Sequence, residues 1–127
     1  MRGTVERARR LLREQVEMLY EDCCTVYERQ DVIDKETKVS KKEPIAVLKD
    51  EPCRLSFTTL EATEQANPAA EKKQVVKLFL RPEVEIKEGC KIDIVHQGKM
   101  FEYARSGIPA MYTSHQEIVL KSFERWA

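Results

Sequence analysis

The stretch Gln74-Val75-Val76-Lys77-Leu78-Phe79-Leu80 decides the fold. It is the most apolar run of the chain and it stops at Pro82. Seven residues rich in valine, leucine and phenylalanine are too few for a packed helix and suit a buried strand. We read it as the central strand of a β structure. Around it the period stays at two. Cys23 to Arg29 alternates, with Cys24 and Val26 on one face and Cys23, Thr25 and Tyr27 on the other. Asp34 to Lys38 is a charged turn, and a second strand runs near Val39 to Leu48. Pro44 inside that strand argues for an edge or a bulge. Cys53 to Phe57 is a third strand, led in by Pro52. Glu83 to Lys87 alternates before a Glu88-Gly89 turn, and Lys91 to Val95 alternates again. Gln97-Gly98-Lys99 makes a tight hairpin into Met100 to Arg105. His115 to Phe123 fits a strand, while the helical spacing of Glu117, Lys121 and Arg125 keeps a helix open there.

Two segments break this pattern. Thr4 to Tyr20 places Val5, Ala8, Leu12, Val16 and Leu19 at helical spacing, with Leu11 and Met18 widening the stripe. Thr4 is the expected N-cap, and Glu6, Arg9, Arg10, Arg13, Glu14 and Glu17 form the opposite face. Thr58 to Lys73 has no large apolar residue after Leu60 and contains Asn67-Pro68. It cannot bury much, and it reads as a long mobile loop, either of the kind that is often functional or as a disordered surface excursion. The expectation is one mainly β domain over residues 1–127. It has an N-terminal amphipathic helix over 1–21 and a small β-barrel over 22–127. The barrel has about seven or eight short strands and a mobile loop at 58–73.

Composition narrows the function. The chain has 127 residues, 42% of them hydrophobic and 35% charged, which is too apolar for disorder. No apolar run approaches the ~20 residues of a membrane helix. Twenty-two basic residues cancel twenty-two acidic ones, so no global field draws the protein to nucleic acid or to an anionic membrane. Met1-Arg2 is not followed by the apolar core of a secretion signal, so a cytoplasmic protein is expected. The four cysteines, Cys23, Cys24, Cys53 and Cys90, are then expected to be reduced and mostly buried. A zinc site from Cys24, Cys53, Cys90 and His96 lacks the paired ligands of a tight turn, and no metal or cofactor is expected.

No nucleophile–base–orienter set is visible around His96 or His115, and no phosphate-binding glycine loop, so no enzymatic activity is expected. Phe79, Phe101 and Tyr103 on a small barrel could imitate a single-strand binder, but core packing is the expected use. Arg9, Arg10 and Arg13, with Arg2 and Arg7, form the one concentrated basic patch. Trp126 is expected to pack or to dock on a partner.

The order of pieces from Asp22 to Trp126 resembles a known family. The stations are Cys24-Thr25-Val26-Tyr27, Pro52-Cys53-Arg54-Leu55-Ser56 and Lys77-Leu78-Phe79. They continue with Ile86-Lys87-Glu88-Gly89, Ser106-Gly107 and Tyr112-Thr113-Ser114-His115-Gln116-Glu117. This is similar to the small prophage-encoded head–tail joining (head-completion or stopper) proteins of tailed phages and defective phage-like elements. The resemblance implies a structural virion protein at the head–tail connector. Such a protein joins the portal or adaptor to the tail and helps retain packaged DNA, near which it lies without specific contact. It implies a homo-oligomeric ring in the particle, with the isolated chain allowed to be a monomer. The expected locations are the bacterial host cytoplasm during assembly and then the virion head–tail junction, with no membrane partner. On this reading the loop faces the channel or a neighbouring copy through Thr59, Glu61, Glu64, Gln65, Asn67, Glu71, Lys72 and Lys73. The candidate docking residues are Arg9, Arg10, Arg13 and Trp126. The alternative is a host β-barrel module that binds protein or nucleic acid.

Overall fold

The computed structural model describes residues 2–60 and 73–126. One helix, α1 (Arg2–Glu17), precedes seven strands. These are β1 (Asp22–Ile33), β2 (Ser40–Leu60), β3 (Lys73–Leu80), β4 (Lys91–His96), β5 (Lys99–Arg105), β6 (Ala110–Met111) and β7 (Gln116–Ser122). All pairings are antiparallel, in the order β3-β2-β1-β4-β5-β7-β6. A further β3–β7 pairing, Val76 opposite Leu120 through Leu80 opposite Gln116, closes the sheet into a ring. Closure removes the open edges that β3 and β7 would otherwise present.

Alternation fills the ring. Cys24, Val26, Cys53, Leu55, Leu78, Leu80, Ile92, Ile94, Ile118 and Leu120 all point inward and are buried. Burying such side chains stabilises the fold by roughly 1.5–3 kcal/mol each. After β3 the chain is not a strand, but Val84 and Ile86 still turn inward and are buried, and this segment covers one end of the core. Gln116, buried in the same region, donates to the carbonyls of Arg81 and Val84, and Arg105 Nη1 donates to Ile86 O at 2.8 Å. These bonds satisfy carbonyls that no sheet partner reaches. The Gln97-Gly98 hairpin turn has φ of 50° and 76°, the two positive values that a type I′ turn requires.

Several expectations need correction. The helix begins at Arg2, so Thr4 lies inside its first turn instead of capping it, and it ends at Glu17, short of Tyr20. The second and third strands are one 21-residue strand, β2. A register shift near Val26 and a positive φ at Asp50 bend the chain there without breaking it. The expected loop is shorter at both ends. Thr59 pairs with Gln74 and Leu60 with Lys73, so Thr58, Thr59, Leu60 and Lys73 belong to strands. The rest of that segment, with Glu61, Glu64, Gln65, Asn67, Glu71 and Lys72, lies outside the described residues. Phe79 is not in the core. It is half-buried between two inward leucines and meets the His115 ring at 5.8 Å on the outer face.

Candidate interaction surfaces

Two parts of the chain stand off the closed ring. The first is α1. Val5, Leu11 and Leu12 are each a little over half exposed, as is Leu19 just past the end of the helix, where Met18 is 80% exposed. The apolar stripe is therefore largely open. The half-buried positions are Arg13, Val16 and Tyr20, so of the stripe only Val16 is sheltered, and Arg13 ties the helix to the body. Arg13 forks onto the Glu83 carboxylate, with Nη2 to Oε2 at 2.8 Å, and also donates to Glu17 at 2.9 Å. These bonds hold the Arg13 guanidinium in its charged form, and the same contact lowers the Glu83 carboxyl below its usual range. Arg13 is thus committed within the chain, while Arg9 and Arg10 stay exposed. The helix has no acidic residue in its first turn and no basic residue in its last, so its end charges do not complement its dipole. Sixteen residues are marginal as an isolated helix, and this one draws little help from packing.

The second is a β ribbon. β1 pairs with β4 only as far as Tyr27 opposite Lys91. β2 meets β3 only from Arg54 onward. Between these points, Glu28 to Ile33 pairs with Ser40 to Ile45 and with nothing else among the described residues. Six residue pairs at about 3.3 Å each carry this two-stranded arm roughly 20 Å from the ring. Its free edges carry Lys41, Lys42, Glu43 and Pro44, the residues that discourage random strand pairing. Ile33 and Val39 at its far end are exposed.

Where β2 and β3 leave the ring toward the undescribed segment, an aromatic group gathers. Phe57 packs edge-on against His96 at 5.7 Å and Phe101 at 6.1 Å, and Phe101 stacks on Tyr103 at 6.2 Å. His96 Nδ1 also bonds Asp22 Oδ1 at 2.9 Å. Spacing alone does not reveal the Asp22–His96 and Arg13–Glu83 contacts, because each joins residues about 70 positions apart.

Ser114, His115 and Glu117 form a hydrogen-bonded chain. Ser114 Oγ is 2.8 Å from His115 Nδ1, and His115 Nε2 is 3.2 Å from Glu117 Oε2. An imidazole protonated on Nε2 donates to Glu117 and accepts from the Ser114 hydroxyl. Ser114 is only 6% exposed. Tyr112 stacks on the other side of His115 at 4.9 Å, and Ile108, Met111 and Tyr112 make an exposed apolar edge beside β7.

Cys24, Cys53 and Cys90 are buried as free thiols, and burial raises the Cys53 and Cys90 thiols above their usual range. For Cys53 a hydrogen bond with the Cys24 thiol is the larger cause. No group of three or more histidine, cysteine or acidic residues is placed to hold a metal among the described residues. Trp126 is half-buried and packs edge-on against Phe123 at 5.1 Å. Among the described residues no helix is long and apolar enough to cross a membrane.

No family model matches the chain, and no curated protein does. One solved structure is similar, that of the phage-like element PBSX protein xkdH from Bacillus subtilis. It shares 13% identity, covers 78% of this chain and 91% of its own, and superposes with a TM-score of 0.45. Similarity at that level assigns neither a family nor an activity.

Proposed function

We propose that this chain is a non-enzymatic assembly protein of the tailed-phage head–tail junction, joining neighbours in a ring under the portal. The observation that carries this reading is the division between a closed barrel and two parts that stand off it. The closed ring leaves few strand edges to pair, whereas α1 and the β1–β2 ribbon offer surfaces left uncovered among the described residues. A subunit that must be rigid alone and adhesive beside its neighbours needs this arrangement. The stations of the sequence resemblance support it, since they form the β1, β2 and β3 segments of the ring, the covering segment and the entry to β7. The Ser114–His115–Glu117 chain does not argue for catalysis, because its hydroxyl is buried. Portal, adaptor and tail proteins are the partners on this reading, with packaged DNA nearby.

Particle fractionation tests it. The chain should co-purify with DNA-filled heads, and its deletion should leave heads and tails unjoined. Normal joined particles in the deletion strain, or absence of the chain from particles, would refute the reading.

A further inference from the structure

The charges of α1 run in an order that a single helix does not favour. Arg7, Arg9 and Arg10 stand in its N-terminal half, and Glu14 and Glu17 stand at its C-terminal end. Glu6 lies on the face turned away from the apolar stripe. A lone helix is positive at its first turn and negative at its last, so this order opposes its dipole. The same order suits a second helix laid antiparallel, because each acidic end then lies beside the positive end of the other. The stripe supplies the contact. Val5, Leu11 and Leu12 are open within the helix, and Met18 and Leu19 continue the row past its end. Seven residues make almost two turns, so Arg7 and Glu14 project from the same flank of the stripe, and both are exposed. Arg9 marks the opposite flank. Two copies that meet stripe to stripe and antiparallel set each flank against its own counterpart. Arg7 of one copy then comes beside Glu14 of the second copy, and the contact occurs twice. A parallel pair would set the Arg7 flank against the Arg9 flank and bring like charges together.

We propose that α1 is a self-association site, through which two copies of the chain pair as antiparallel helices about a two-fold axis near Leu11 and Leu12. Such a contact is isologous and closes at two chains, so it belongs to the free protein and does not build a ring. It does not rest on the proposed assembly role, which particle fractionation tests separately. The 16 residues of the helix span about 24 Å. One short helix from each chain falls toward the low end of the ~1,200–2,000 Å² that stable interfaces bury, so the dimer is weak and depends on concentration. A second copy also fits the stripe better than a lipid surface does, because anionic headgroups repel the Glu14 carboxylate beside it.

Sedimentation equilibrium of the full chain, from about 1 μM to about 1 mM, covers the range of weak complexes and reads the association. A monomer–dimer equilibrium with nothing larger is expected. Leu12 is exposed, so Leu12→Glu should leave the fold intact by circular dichroism and weaken the dimer at least about tenfold. Arg7→Glu puts like charges together at both ends of the pair and should weaken the dimer about fivefold. The Arg7→Glu, Glu14→Arg double variant restores opposite charges and should recover the wild-type dimer to within about twofold. These two variants change only exposed side chains, so they keep the test decisive if Leu12→Glu disturbs the helix. A chain that stays monomeric up to about 1 mM overturns the proposal, and so does a dimer that Leu12→Glu leaves unchanged in a folded protein. Tighter association in Arg7→Glu, or no recovery in the double variant, overturns the antiparallel pairing. A monomer that floats with phosphatidylserine vesicles overturns it in favour of a lipid surface.

Discussion

Asp22 and His96 share a hydrogen bond of 2.9 Å between Oδ1 and Nδ1, while the other carboxylate oxygen of Asp22 accepts from the Leu55 amide at 2.8 Å. One buried carboxylate thus ties the start of β1 to β2 and to the end of β4. Removing it strands a buried backbone donor and a ring nitrogen together. Asp22→Ala should cost about 3 kcal/mol of unfolding free energy in a urea titration. Asp22→Asn keeps an acceptor for Leu55 and should cost less than half as much. Equal losses in the two variants would show that the amide bond is not what matters.

The core offers a second test. Leu78 is fully buried at a position where β3 is flanked by both β2 and β7. Leu78→Ala should destabilise by about 2–5 kcal/mol, because closed-ring neighbours collapse poorly into the space left. Phe79→Ala, one residue on, should cost clearly less, since its ring lies on the outer face against His115. The pair of chemical or thermal melts checks the inward–outward assignment directly.

The β elements were legible in the sequence because a period of two survives wherever one face is buried. Cys24 and Val26, Ile92 and Ile94, and Ile118 and Leu120 all face inward as their alternation requires. What escaped was where strands stop. Pro52 reads as a strand boundary, yet β2 runs through it opposite Cys23, because β3 has not yet joined on the other side and no ladder partner needs its N–H. Thr58 to Leu60 looked too polar to be ordered, yet pairing with β3 supplies what their side chains do not. The helix was located, apart from its ends. An apolar stripe shows that a face wants cover, not that the same chain provides it, and Val5, Leu11, Leu12 and Leu19 remain open. The docking residues divided for a similar reason. Arg13 found Glu83, 70 positions away, and no local pattern announces such a partner.

The Arg13–Glu83 bridge should govern the attitude of α1 more than global stability. Its two side chains are 33% and 50% exposed, so solvent screens the attraction, and Arg13→Ala should cost under about 1 kcal/mol. Hydrogen exchange across residues 5–17 should nevertheless accelerate in the variant. Because the folded state holds the Glu83 carboxyl below its unfolded value, the bridge is intact at neutral pH. It weakens as pH falls through the lowered value. Acid should therefore loosen α1 in the wild type and leave Arg13→Ala unaffected, and a similar acid response in both would place the sensitivity elsewhere.

Tyr20 adds a pH dependence on the alkaline side. Its hydroxyl is buried without a hydrogen-bond partner among the described residues, and burial pushes its ionisation up to about 12 from an ordinary value near 10. Below pH 10 the phenol is neutral in both folded and unfolded chains, so its contribution there is independent of pH. Between about 10 and 12 the unfolded chain loses this proton while the folded chain keeps it. The folded state binds more protons in that window, so stability falls as pH rises through it. Above about 12 both states are ionised and the loss stops growing. Tyr20→Phe removes both the titration and an unpaired buried hydroxyl. It should be at least as stable as the wild type at pH 7, and the gap should widen in its favour above pH 10. Melting curves of the two proteins at pH 7 and at about pH 11 measure the difference. A gap that stays constant or closes with pH would mean that the Tyr20 oxygen reaches solvent when it ionises.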